Sequence, residues 1–426
     1  MDKLTITPGK LKGEVKIPPS KSMAHRAVIC ASLSKGKSKI TNIEFSEDII
    51  ATIEAMKSLG TEIKVFEDYL EVDGKNTFAQ SVRLIDCNES GSTLRFMVPI
   101  ALAKDAKTNF IGKGNLGKRP LNTYYAIFDR QGIKYDYEDG VLDLNVEGKL
   151  KGEEFKVRGD ISSQFISGLL FALPLLEEDS KITITTKLES KGYIDLTLSM
   201  LELYGIEIIN NDYKEFIIKG NQSYKAKDYR VEGDFSQAAF FLVADAIGSD
   251  VLIKDLNVNS LQGDKEILDI IARMGGEIED NSAGIKVVTK DKKNTVIDAS
   301  QCPDIIPVLT VLAAVTEGTT NIINAERLRI KECDRLKAIS TELNKLGANV
   351  KELEDSLVVE GVASLNGGVV HSWDDHRIAM SLAIAATCCT DKVIIENPNC
   401  VKKSYPSFWR DYKNLGGEIN EWSLGQ

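Results

Sequence analysis

One pattern recurs along the chain: an apolar residue, a glycine, then a strand-like stretch. It occurs as Leu59-Gly60-TEI, Gln131-Gly132-IKY (with Gln in the apolar place), Tyr204-Gly205-IEI, Met274-Gly275-GEI, Leu346-Gly347-ANV and Leu415-Gly416-GEI. The intervals between these glycines are 72, 73, 70, 72 and 69 residues. A helix that ends at a C′ glycine and runs into a strand explains each match locally. The even spacing requires more, namely six copies of one unit of about 70 residues.

A second series runs in phase with the first. Six apolar segments open with a polar cluster: SKSMAHRAVICASL, SGSTLRFMVPIAL, SSQFISGLLFALPLL, GDFSQAAFFLVADAI, CPDIIPVLTVLAAV and DDHRIAMSLAIAA. Apolar on nearly all sides, they are expected to be buried helices, with the amphipathic helices that end at the repeat glycines lying outside them. Most are followed by β-rich runs such as SKITI, SDVLI, TTNII and DKVII. Each unit therefore reads as strand, helix, strand, helix, strand. Two groups of three units would form two similar α/β domains, with a break near Tyr229–Gly233. The first strand, about Leu4–Ile17, is expected to complete the last unit.

The polar openings are where chemistry is expected. A buried helix presents unpaired N–H groups and the positive end of its dipole at its N-terminus. Serine or aspartate capping accounts for any one opening. Six in register, with basic residues added, point to converging anion sites. Ser20-Lys21-Ser22 with Arg26 is the first, and a spacing of four puts Ser22 and Arg26 on one side. Asn88–Arg95 is the second, where Gly91 would let a ligand approach the backbone. Arg119, before Pro120 in the loop IGKGNLGKRP, is suited to fork a carboxylate. Ser162, Ser163 and Gln164 supply two hydroxyls and an amide, and Tyr193 is expected to place its hydroxyl at the rim.

In the other half, Asp304 opens a helix with almost no other charge nearby, as a cap or as a base. The run from Arg327 to Arg335 packs six charges into nine residues, and helical spacing would put Lys331 and Arg335 on one face. Asp374-Asp375-His376-Arg377 sets charge at the mouth of an apolar helix, and Lys402-Lys403 adds cations near the end.

The whole chain is acidic, with a formal net charge of −10, which argues against nucleic acid or an anionic membrane as partner. No apolar run approaches a spanning length, and the N-terminus lacks the pattern of a secretory signal. Seven irregularly spaced cysteines without a C-x-x-C pair suggest reduced thiols, and cytoplasmic residence is the expectation. Three scattered histidines give no zinc pattern.

Taken together, PSKSMAHRA, SGSTLR, KRP, SSQF, GYIDLT, the PD pair, RIKECDRL, DDHRIAM and NPNCVKKSYP resemble the EPSP synthase (3-phosphoshikimate 1-carboxyvinyltransferase) family. The resemblance implies two inside-out α/β barrels, each of three βαβαββ units. It places residues 1–19 with 233–426 in one domain and 20–232 in the other, with the active site in the cleft between them. It implies transfer of the enolpyruvyl group of phosphoenolpyruvate to the 5-hydroxyl of shikimate 3-phosphate, without a cofactor or metal, in an enzyme that is the target of glyphosate. A monomer is expected.

Carried over by motif, Lys21, Ser22, Arg26, Ser162, Ser163, Gln164, Tyr193, Asp304 and Lys331 would hold shikimate 3-phosphate. Lys21, Gly91, Arg119, Gln164, Arg335, His376, Arg377 and Lys403 would hold phosphoenolpyruvate. Asp304 would be the base at the hydroxyl, and Lys21 or Glu332 the acid at the methylene carbon. Lys21, packed among cations, would have a lowered pKa. The sequence departs from many relatives at Glu89, which would bring an extra carboxylate near an anion site. It departs again at Arg327, where Asn is usual and which is not counted as a contact. The alternatives are the sister transferase acting on UDP-N-acetylglucosamine and a non-catalytic anion-binding relative. The first is disfavoured by Ser22 and by a cysteine-free IGKGNLGKRP loop; the second by the presence of Lys21, Asp304, Glu332 and Arg377.

Overall fold

A computed structural model describes residues 2–422. The chain forms two compact units, one made of Met1–Pro18 with Glu232–Gln426 and the other of Pro19–Val231. Among the described residues each holds three four-stranded sheets. One repeat in the second unit shows the plan. Val82–Asp86 leads into the helix Gly91–Ala101 and then into Ala106–Ile111, which pairs parallel to the first strand. The helix Asn122–Gln131 follows, and the hairpin Lys134–Tyr137 and Asp143–Gly148 closes the sheet antiparallel. The order is βαβαββ, one strand more per unit than the sequence pattern suggests.

The two helix classes differ as their composition dictates. Phe235–Ala246, Ile306–Ala314 and His376–Ala386 are buried at every position. The outer helix Glu266–Arg273 buries only Ile267, Ile270 and Ile271, a single stripe at helical spacing. The glycines that end the outer helices all have positive φ, from 68° at Gly132 to 108° at Gly60, a region a β-carbon disfavours. Two inner helices cross closely at Gly168, where an added β-carbon would lie 2.3 Å from the carbonyl oxygen of Arg95. That carbonyl is unusual in another way. Pro99 lies four residues on inside the helix and has no N–H to give it. The buried Tyr124 hydroxyl donates to it instead. Tyr124→Phe should therefore cost about 1–3 kcal/mol of stability by stranding a buried acceptor, measured as a shift in urea midpoint.

The N-terminal stretch corrects the expectation of one long strand. Pro8 and Gly9 break it. Lys3–Thr7 does complete the last sheet, between Val393–Glu396 and Glu418–Trp422. Lys12–Lys16 instead pairs parallel with Asp250–Lys254, in the sheet that follows the helix Phe235–Ala246. Reciprocally, Tyr229–Arg230 pairs parallel with Lys37–Thr41. The strands leading into the first and fourth inner helices are thus exchanged between the units. Among the described residues no helix is long and apolar enough to cross a membrane.

Candidate functional site

In the unit that contains the chain ends, the starts of three inner helices meet at one cluster. Asp304 lies in the 3-10 turn Pro303–Ile305, just before its helix. It is not a cap; its carboxylate is held by three cations. Arg335 Nη1 lies 2.9 Å and Lys331 Nζ 3.2 Å from Oδ1, and Arg377 Nη2 lies 3.3 Å from Oδ2. Arg377 also donates to the Asp304 carbonyl at 3.1 Å and to the Ser236 hydroxyl at 3.1 Å, joining the second and third helix starts. Burial pushes the Asp304 carboxyl up, but Arg377, Lys331 and Arg335 together outweigh it and hold the group well below the usual carboxylate range.

Arg335 is the centre of this cluster and is almost wholly buried. Its Nε lies 2.7 Å from Asp375 and its Nη2 2.6 Å from Glu332, in addition to its bond with Asp304. Burial works against its charge, and Asp375, Glu332 and Asp304 overcome that effect and raise its pKa. Asp375 is fully buried, caps the helix His376–Ala386 through the Arg377 N–H, and so fixes both arginines. His376 is buried beside Arg377. Lys403 reaches the same segment, donating to the Asp374 carbonyl at 3.0 Å. Lys331 has a lowered pKa, chiefly through burial, then through Arg335 and Arg327. The charge run is therefore divided. Lys331, Glu332 and Arg335 join the cluster, while Arg329 turns to Asp334 and Glu352 and ties its loop down.

In the other unit the helix starts are capped, and basic side chains lie around the caps. Ser20, Ser90 and Ser162 cap their helices. Around those caps lie cations. Arg26 is buried and donates to Thr197 at 2.9 Å and to the carbonyls of Ser22 and Tyr193 at 2.7 Å each. Burial lowers its pKa to about 10, against the opposing influence of Tyr193 and Cys30. Lys21 is not packed only among cations; it pairs with Asp48 at 2.7 Å. Gln164 has an oriented amide: Arg95 donates to its Oε1 at 2.7 Å, and its Nε2 donates to Ser92 at 2.8 Å. Ser163 is buried next to it, and Tyr193 is half-buried at the start of Lys191–Leu203.

Gly91 is spare of a side chain for a reason the sequence did not reveal. An added β-carbon would lie 2.4 Å from Nη1 of Arg119, so the Arg119 guanidinium occupies that space over the helix start. Glu89 lies two residues before Gly91. Its carboxylate rests against Gly114, where a β-carbon would lie 2.8 Å from it, and so packs on the loop that carries Arg119.

Sequence reasoning gave Asp48 and Ser236 no role in these clusters, and named Arg95 and Asp375 only within the polar openings, without their partners. Asp375 is a cap, and Ser236 lies in the first turn of a helix capped by Asp234, which the local pattern reveals, but their second partners come from other repeats. Asp48 lies 27 residues from Lys21, with no periodic signal joining them.

Comparison with known proteins follows the same lines. The family profile described as EPSP synthase (3-phosphoshikimate 1-carboxyvinyltransferase) matches residues 6–412. A 3-phosphoshikimate 1-carboxyvinyltransferase of Clostridium perfringens is 66% identical over 419 residues, covering 98% of this chain and 99% of the relative. One from Clostridioides difficile is 63% identical over the full length of both chains. The solved EPSP synthase of Acinetobacter baumannii shares the fold, with a TM-score of 0.84 at 24% identity over 99% of this chain and all of that one. With its profile matched over nearly the whole chain and relatives this similar end to end, the chain belongs to the EPSP synthase family.

Proposed function

We propose that this chain transfers the enolpyruvyl group of phosphoenolpyruvate to the 5-hydroxyl of shikimate 3-phosphate, releasing phosphate. The observation that supports it best is the half-buried carboxylate of Asp304, held by three cations where three helix starts meet. Such a cluster combines a proton acceptor with groups that recognise phosphate and carboxylate.

In this reading Asp304 takes the proton of the 5-hydroxyl as its oxygen adds to C2 of phosphoenolpyruvate. Lys21 or Glu332 protonates C3. The tetrahedral intermediate then loses a proton from C3 and the phosphate from C2, which restores the enol ether. Arg335, Arg377, Lys403, His376, Arg119 and Gly91, with Lys21 and Gln164, hold phosphoenolpyruvate. Ser22, Arg26, Ser162, Ser163, Gln164, Tyr193, Lys331 and Lys21 hold shikimate 3-phosphate. Cations beside the leaving phosphate stabilise its charge. Each cation that turns from Asp304 to a substrate oxygen weakens its hold on that carboxylate and makes it a better base. Both units contribute groups to one reaction, which uses no cofactor and is carried out by a monomer in the cytoplasm.

The test is phosphate release from phosphoenolpyruvate with either shikimate 3-phosphate or UDP-N-acetylglucosamine. Release with the first alone supports the proposal; release with the second alone, or with neither, overturns it. The Gly91 geometry adds an expected result. Gly91→Ala should displace the Arg119 guanidinium and raise KM for phosphoenolpyruvate by roughly tenfold or more, with KM for shikimate 3-phosphate little changed. Separate titration of the two substrates checks this.

A further inference from the structure

We infer that Glu342 is a positioning residue for the phosphoenolpyruvate-binding groups, acting through the indole of Trp373. This rests on the functional reading above. Glu342 lies on the helix that begins with Arg335, seven residues further on, and is 1% exposed. A buried carboxylate needs partners, and only part of its need is met by Lys345, whose side chain is 47% exposed and lies 2.8 Å away. The remaining bonds go to one loop. Oε1 accepts from the Trp373 indole N–H at 2.7 Å, and Oε2 accepts from the His371 backbone N–H at 2.9 Å. His371 Nδ1 in turn accepts from the Trp373 backbone N–H at 2.7 Å.

The loop needs such an anchor. Trp373 and Asp374 both have left-handed backbones, with φ of 55° and 56°. For a bulky residue that conformation is an outlier and persists only where the surroundings impose it. Its effect is local and specific. It leaves the Asp374 carbonyl accepting from Lys403, and the Asp375 N–H bonded to the Ser372 carbonyl at 3.0 Å. Asp375 then caps the next helix and grips Arg335 and Arg377. Four groups assigned to phosphoenolpyruvate, namely Arg335, His376, Arg377 and Lys403, are thus placed by a loop whose strained corner is held by Glu342. A carboxylate that served only as half of an ion pair with Lys345 would leave this corner free.

The test uses the full chain with Glu342→Gln, Glu342→Ala, Trp373→Phe, the Glu342→Gln/Trp373→Phe double variant, and Lys345→Ala as a control. Glutamine keeps one acceptor but turns an N–H₂ toward one of the two donors. KM for phosphoenolpyruvate should rise about tenfold or more in the Glu342 variants and in Trp373→Phe, with KM for shikimate 3-phosphate within about twofold of wild type. The double variant should be no worse than Glu342→Gln alone, because both changes break one link. Lys345→Ala should leave both constants unchanged.

Unshifted KM values in an active Glu342→Gln would overturn the inference. So would equal loss of both substrates together with a lowered melting temperature, or additive effects in the double variant. If Glu342→Ala does not fold, the glutamine and phenylalanine variants still decide. Wild-type chain without turnover would overturn the functional reading itself, a result distinct from active chain with unshifted constants.

Discussion

Replacing Arg335 with methionine is expected to destabilise the unit built from the chain ends by about 3–5 kcal/mol and to abolish turnover. The expectation follows from what the guanidinium holds. Arg335 is 1% exposed and binds Asp375, Glu332 and Asp304 through three different nitrogens. Methionine fills much of the volume but leaves Asp375, which is fully buried, without its cation. Removing one partner of a buried ion pair strands the other charge, which is why the cost exceeds the net worth of the pair. Arg335→Lys separates charge from geometry. A single ammonium cannot reach three carboxylates at once, so lysine should recover part of the stability and little of the activity. Urea unfolding of both variants, beside steady-state rates, checks this. A methionine variant with wild-type stability would show that the cluster does not act as described.

The second large effect is expected at Asp304. Asp304→Asn preserves shape and removes the proton acceptor, so kcat should fall by roughly 10²–10⁴. A loss below about tenfold would mean that another group takes the proton. The same variant should change the acid limb of stability. A carboxyl whose folded pKa is depressed adds stability above its unfolded value, near 3.9, and loses it as pH falls through the folded value. The wild-type chain should therefore lose this share of its stability only below about pH 4, and Asp304→Asn should flatten the profile there. At neutral pH the variant should be the less stable of the two, because Arg377, Lys331 and Arg335 face each other without the carboxylate. Urea midpoints between pH 3 and pH 7 read both effects.

Much of this architecture was legible in the sequence because it repeats. The glycine series marks the end of each outer helix, and the positive φ at each shows why glycine recurs there. Helices such as Phe235–Ala246 declare their burial by having no polar face. What could not be read is information carried by distance. Lys12–Lys16 fits either of two sheets by its local pattern, and only tertiary pairing assigns it to Asp250–Lys254. The motifs gave the residues that surround Asp304 but not their grip on it, since Lys331 and Arg335 come from one segment, Arg377 from a second and Asp304 from a third. Lys21 shows the same limit: its neighbours in sequence are cationic, but its partner in space is Asp48. Glu89 was read only as a carboxylate near an anion site, and the structure sets it against Gly114, on the loop that carries Arg119.

The exchange of leading strands has a consequence for the order in which the chain is made. Pro19–Val231 carries every strand of its own sheets, including the short Tyr229–Arg230, on one uninterrupted stretch. It can be complete while the rest is still being synthesised. The strands that precede that stretch are in the opposite position. Lys12–Lys16 has no partner until Asp250–Lys254 exists, and Lys3–Thr7 waits for Val393–Glu396 and Glu418–Trp422. These preceding strands are thus among the last to be paired, and the unit that owns Asp304 cannot close until Glu418–Trp422 has been made.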